Sequence, residues 1–125
     1  TYMMSKSHTI DIKKAAVFPI VQGIRSLALK ERIRETTTVK RIKILEDKKI
    51  FEKDKAAELL EAFDVVNTLR LKAQLENIQN NKVINNEINT QALGKIERDL
   101  LKDSFKIVNE FKKFISYTFR IDKIS

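Results

Sequence analysis

Four arginines stand among apolar neighbours in this sequence, Arg25, Arg41, Arg70 and Arg98, and two adjacent lysines, Lys13 and Lys14, follow Asp11 in a D-x-K-K element. A guanidinium is a planar fork that can grip phosphate at two points, and a lysine supplies a mobile point charge. Converging on one cleft, such groups would bind phosphate. Spacing alone favours a plainer reading, in which each arginine is a partly buried strut. Its stem packs on the core and its head meets Asp11, Glu61, Asp64 or a helix C-terminus. Arg70 and Gln74 follow Val66 at helical spacing, so both are expected against an apolar helix face.

Other chemistry is missing. The chain has no cysteine, which excludes a disulfide scaffold, a thiolate zinc site and a cysteine nucleophile. It has no Gly-rich phosphate loop, no H-E-x-x-H and no Glu-x-x-His pair. His8 is the sole histidine and reads as a bystander. Asp99 and Asp103 are one helical turn apart and could share a cation, but Lys95, Lys102 and Lys106 interleave with them, as in ordinary surface ion pairs. The phenylalanines fall on buried periods and leave Tyr2 and Tyr117 as poor stacking groups, which argues against nucleic acid as a partner. Catalysis by this chain alone is not expected.

The elements that must position these groups are helical. A chain of 125 residues with two glycines and one proline fits a single domain with a genuine core and favours helix almost throughout. No apolar run reaches membrane-spanning length and no signal-peptide core is evident, so a soluble, cytoplasmic protein with no membrane partner is expected. The net charge is +8, and residues 6–55 hold 14 Lys/Arg against 7 Asp/Glu. That field favours anionic partners, or simply a solvated basic surface.

Residues 1–8 read as a disordered lead-in, and residues 9–125 as one helical domain cut from a longer protein. The stretch from Thr9 to Leu29 organises the rest. Pro19 should push Phe18 towards an extended conformation, giving a turn or short helix at 10–17, a break, and a helix starting near Pro19. Arg25 would sit at the edge of that helix's buried stripe, with Asp11, folded back by the break, as its partner. This helix should end near Ile33. The threonines at 36–38 suit the cap of a second helix over 39–47, and Asp54 the cap of a third running to Gln79. The Asn-rich segment 80–91 reads as a surface loop. Gly94 stands at the N-cap of a last helix over 95–120, with Ile96, Leu100, Ile107, Phe111, Phe114 and Thr118 on its inner face and Leu101, Val108, Ile115 and Phe119 widening it. The fold class is therefore all-α, an antiparallel bundle of four to five helices.

The run IDIKKAAVFPIVQGIRSLAL, then TTVKRI, EAFDVVNTLRLKAQL and ALGKIERDLLKDSFKIVNEF, resembles the C-terminal domain of signal-transduction nucleotidyltransferases, over about residues 8–119. Members join a cyclic-nucleotide-binding domain and paired CBS domains to a nucleotidyltransferase domain related to the PII-protein uridylyltransferase. The resemblance implies a non-catalytic substrate-binding domain that holds nucleotide or acceptor protein beside the upstream catalytic domain. Motif by motif, it implies substrate-binding roles for Asp11, Lys13 and Lys14, for Arg25 and Arg41, for Arg70 and Gln74, and for Arg98. Ala15-Ala16 replace a usual Gly-Gly, Gln22 a common His, Thr90 a Pro and Gly94 a Ser. Such enzymes need a Gly-Ser turn and an Asp-x-Asp pair for metal-assisted attack on the α-phosphate. This chain has neither, so Mg2+ and the nucleoside triphosphate are expected at the upstream domain. The alternative from another class is a regulatory module that docks an acceptor protein or the CBS domains. Non-specific polyanion binding is a third.

Overall fold

The computed structural model describes residues 8–124, with side chains as far as Arg120. The expected lead-in over residues 1–7 lies outside the described residues. Four helices make the all-α bundle expected from composition: α1 Phe18–Lys30, α2 Thr38–Asp47, α3 Lys53–Gln79 and α4 Lys95–Ile124. None is long and apolar enough to cross a membrane.

Local chemistry explains most of the helix boundaries. Thr37, in extended conformation, caps α2 by accepting the Lys40 N–H at 3.3 Å. At α4 the Gly94 carbonyl accepts the Arg98 N–H at 3.0 Å, while Glu97 Oε1 accepts the Gly94 N–H at 3.2 Å. This is half of a capping box, because glycine has no side chain to return the bond. The cap of α3 differs from expectation. Glu52 occupies it with no side-chain bond, and Asp54 falls within the first turn, where its charge still suits the helix dipole.

Three helices stop in the same way. Arg32, Lys49 and Asn81 adopt left-handed φ values of 58°, 63° and 55°. The next N–H then reaches back to the helix: Ile33 to Ala28 at 2.8 Å, Ile50 to Leu45 at 3.0 Å and Lys82 to Asn77 at 2.8 Å. These are Schellman ends built without glycine. Hence α1 stops at Lys30, and only its reversal extends to Ile33.

Two expectations fail near the N-terminus. Pro19 does not break the chain: Lys13–Val17 form a π-helical turn that runs directly into α1, and Phe18 is helical at φ −61°, ψ −47°. Phe18 donates its N–H to the Lys13 carbonyl, five residues back, so the backbone is wide where the proline ring would otherwise press on the preceding turn. The Asn-rich segment is also more than a loop. Thr9–Asp11 (β1) pairs antiparallel with Glu87–Asn89 (β2), Ile10 opposite Ile88, and a 3-10 turn follows at Thr90–Ala92. Thr90 completes the junction, donating its N–H and hydroxyl to the His8 carbonyl at 3.0 and 2.9 Å. Ile10 and Ile88 are both buried, so the ribbon contributes to the core.

The core gathers Ile12, Ile20, Ile24 and Leu27, then Ile42 and Leu45 of α2, Val66 of α3 and Val108 of α4. Helices α3 and α4 lie antiparallel: Lys72 meets Glu97 at 2.7 Å and Lys55 meets Glu110 at 3.7 Å. Gly23 lets α1 approach α4. A Cβ there would stand 2.5 Å from the Phe111 ring. The inner face of α4 is rotated from the expected one. Leu101, Ser104, Val108 and Phe111 are buried, whereas Ile96 is 76% and Leu100 40% exposed.

Candidate functional site

At one end of the bundle, where α3 finishes and α4 begins, the ribbon and the π-turn bring several of the expected residues together. Asn86 is the joint. Its carbonyl accepts the Ile12 N–H at 2.9 Å, and its side-chain oxygen accepts the Arg70 Nε–H at 2.9 Å. Arg70 is thereby aimed at the start of the D-x-K-K element. Asp11 turns back to accept the Lys14 N–H at 3.0 Å in the first residues of the π-turn, and the side chains of Lys13 and Lys14 are exposed. Across the ribbon Asp11 stands opposite Glu87, so this end carries both signs of charge. Gln74 lies one turn beyond Arg70 on α3, half-buried. Arg98 is exposed in the first turn of α4 at the same end, beside the Lys72–Glu97 bridge.

The other two arginines are elsewhere. Arg25 follows Lys14 by roughly 16 Å along the helix axis. It is exposed rather than at the edge of the core, and Asp11 is not its partner. It shares the outer line of α1 with Phe18 and Leu29, which are 52% and 67% exposed. Arg41 is a strut. Its Nε–H donates to the Glu35 carbonyl at 2.6 Å and ties the chain ahead of α2 to that helix. Arg70 and Arg41 therefore find amide oxygens of Asn86 and Glu35, and not Asp11, Glu61, Asp64 or a helix C-terminus.

Charge at these points is tuned by hydrogen bonds. The backbone N–H groups of Thr36 and Thr37 hold the Glu35 carboxyl below its ordinary range, with smaller help from Lys40 and Arg41. The Lys72 ammonium does the same for Glu97, assisted by the Gly94 N–H, and Glu97 in turn raises Lys72. Among the described residues no group of three or more His, Asp or Glu side chains could hold a metal ion.

A concave surface lies at the other end. Between the start of α3 and the later turns of α4 lies a cavity of about 420 Å³ floored by Phe51, Leu59, Ile107, Phe111 and Phe114 and rimmed by Glu52, Glu58 and Glu110. Phe51 meets Phe111 edge-on at 6.2 Å and Phe114 at 5.5 Å between ring centres. None of the eight expected binding residues lines it.

The model of the family described as "Putative nucleotidyltransferase substrate binding domain" matches residues 3–119. The chain belongs to that family. No curated protein and no solved structure matches it. In this member of the family the residue that the sequence did not single out is Asn86. Its segment was legible only as polar and Asn-rich, and the pairing that gives it a role spans most of the chain.

Proposed function

We propose that this domain holds the anionic part of a substrate, nucleotide or acceptor, at its ribbon end and presents it to an upstream nucleotidyltransferase domain of a cytoplasmic protein. One observation carries the reading: Asn86 ties Arg70 to the D-x-K-K element, so that Asp11, Lys13, Lys14, Arg70 and Gln74 share one end, with Arg98 nearby. With Nε committed to Asn86, the terminal nitrogens of Arg70 remain to take a phosphate in bidentate fashion, and Lys13 and Lys14 add charge. Asp11 and Glu87 would repel a bare anion, which suits a ligand that also carries donors, such as a ribose or a base. Mg2+ and the nucleoside triphosphate belong to the upstream domain in this reading, because the carboxylate pair that holds such ions is not in this chain.

The test is Arg70→Ala in the protein carrying both domains, with titration of ATP, CTP, UTP and GTP by calorimetry. Substrate affinity should fall about tenfold, the worth of one good charged hydrogen-bond pair, with the helical circular dichroism unchanged. Unchanged affinity with a lowered Tm would mean that Arg70 is only a strut.

A second reading, docking of an acceptor protein or the CBS domains, has its own support. Leu71, Leu75 and Ile78 are 57%, 49% and 55% exposed along one outer line of α3. Leu75→Lys should abolish that association without altering nucleotide affinity.

A further inference from the structure

The apolar cavity at the Phe51 end does not stop there. A second hollow, lined by Glu61, Val65, Leu100, Asp103, Ser104 and Lys106, shares Lys55, Glu58, Ile107 and Glu110 with it, so the two form one groove between α3 and α4. From Leu100 to Phe114 the groove is about 20 Å long at 1.5 Å per residue, or some four helical turns. It coincides with the stripe that made α4 look differently oriented in sequence. Ile96, Leu100, Ile107 and Phe114 recur at helical spacing in one straight line beside the core line of Leu101, Val108 and Phe111. The core leaves this second stripe partly open.

Charge selects the occupant. In a chain of net charge +8, the groove is edged by five carboxylates, Glu52, Glu58, Glu61, Asp103 and Glu110, against Lys55 and Lys106. Lys55 shows where a cation sits. Its ammonium spans Glu58 and Glu110 at 3.7 Å each, beside the aromatic floor, with 58% of its side chain exposed. Bridges this long and open hold little energy, so an incoming cation could replace Lys55.

We propose that this groove binds a basic amphipathic helix of a partner protein, whose apolar side chains fill the Leu100–Ile107–Phe114 line and whose lysines or arginines reach the carboxylates on both edges. The surface is separate from the ribbon end, and the inference does not depend on the function proposed there.

The probe is a fluorescein-labelled helical peptide of about fourteen residues, matched to the groove at 1.5 Å per residue, with Leu and Phe on one line and Lys and Arg on both flanks. Binding to the whole chain should saturate and weaken with salt. It should fall about tenfold for the double variant Glu58→Lys, Glu110→Lys, and tighten about threefold for Lys55→Ala, which frees two carboxylates. Amide shifts on the unaltered protein should cluster at Phe51, Leu100, Ile107 and Phe114, a readout that does not depend on any variant folding. Lys13→Glu should leave binding unchanged. No saturable binding, equal binding of a peptide with Glu at every basic position, or shifts confined to the ribbon end would overturn the proposal. So would self-association of the chain that Glu110→Lys abolishes, since the occupant would then be a second copy.

Discussion

Where α3 begins, Phe51 lies against Phe111 and Phe114; where it finishes, Arg70 donates to Asn86 and Asn86 accepts from Ile12. The two ends of one helix pair are thus closed by different physics. The aromatic end is held by area removed from water and by close packing, which act over many contacts and resist single losses of charge. The ribbon end also buries Ile10 and Ile88, but its polar groups are joined by a few directional bonds among half-exposed side chains, each of net worth near 1 kcal/mol. The difference suits the roles proposed for them. A few rearrangeable polar bonds can be redirected to a charged substrate, whereas an aromatic floor offers a fixed surface to an apolar side chain.

Four changes would break or sharpen that contrast. Phe111→Ala removes a ring that is 6% exposed and should cost about 3–5 kcal/mol in denaturant unfolding, with no comparable change at the ribbon end. Gly23→Ala should cost about 1–3 kcal/mol, because its Cβ meets Phe111 at 2.5 Å and the ring must shift. A neutral result would show that the α1–α4 contact is looser than the geometry. Asn86→Ala should cost only about 1–2 kcal/mol, since the Ile12 bond runs to the Asn86 backbone and survives, and hydrogen exchange should loosen in the ribbon while the core stays protected. Lys49→Gly should stabilise by about 0.5–1 kcal/mol by relieving a left-handed residue, read as a raised denaturation midpoint.

Two carboxyls held below their ordinary range, Glu35 ahead of α2 and Glu97 at the ribbon end, carry pH dependence. Glu97 is held below its ordinary value by Lys72, so the pair contributes stability above the carboxylate's unfolded value and loses it as pH falls through the lowered folded one. Comparing acid unfolding of the unaltered protein and Lys72→Met should show their difference vanish over that window. A constant difference would mean that Lys72 acts through its stem alone.

How much was legible in the sequence follows from the range of the interactions. Thr37, Gly94 and the turn after Gln79 act within a few residues of themselves, so α2, α3 and α4 fell close to their expected bounds. Periodicity identified the apolar residues of α4 but not which of two neighbouring stripes faces inward, because both satisfy the helical repeat. Packing against α3, and against α1 at Gly23, turns the line of Leu101, Val108 and Phe111 inward and leaves Ile96 and Leu100 exposed. The D-x-K-K element and Arg70 were recognisable as candidates, yet nothing local predicted their joint at Asn86.

By itself, the sequence determined the helical class, the N-caps of α2 and α4, the charge balance, the lack of a catalytic motif and, through its motifs, the family. Those depend on composition and on contacts a few residues apart. Tertiary structure alone decided that Pro19 continues a helix through a π-turn and that Thr9–Asp11 pairs with Glu87–Asn89. It also decided that Arg25 faces outward and that the hollow surface is acidic and aromatic in a basic chain. The strand pairing joins residues that no local window contains, whereas the π-turn answers the cost of Pro19, at most a few kcal/mol, by a change of hydrogen bonding that apolar periodicity does not signal.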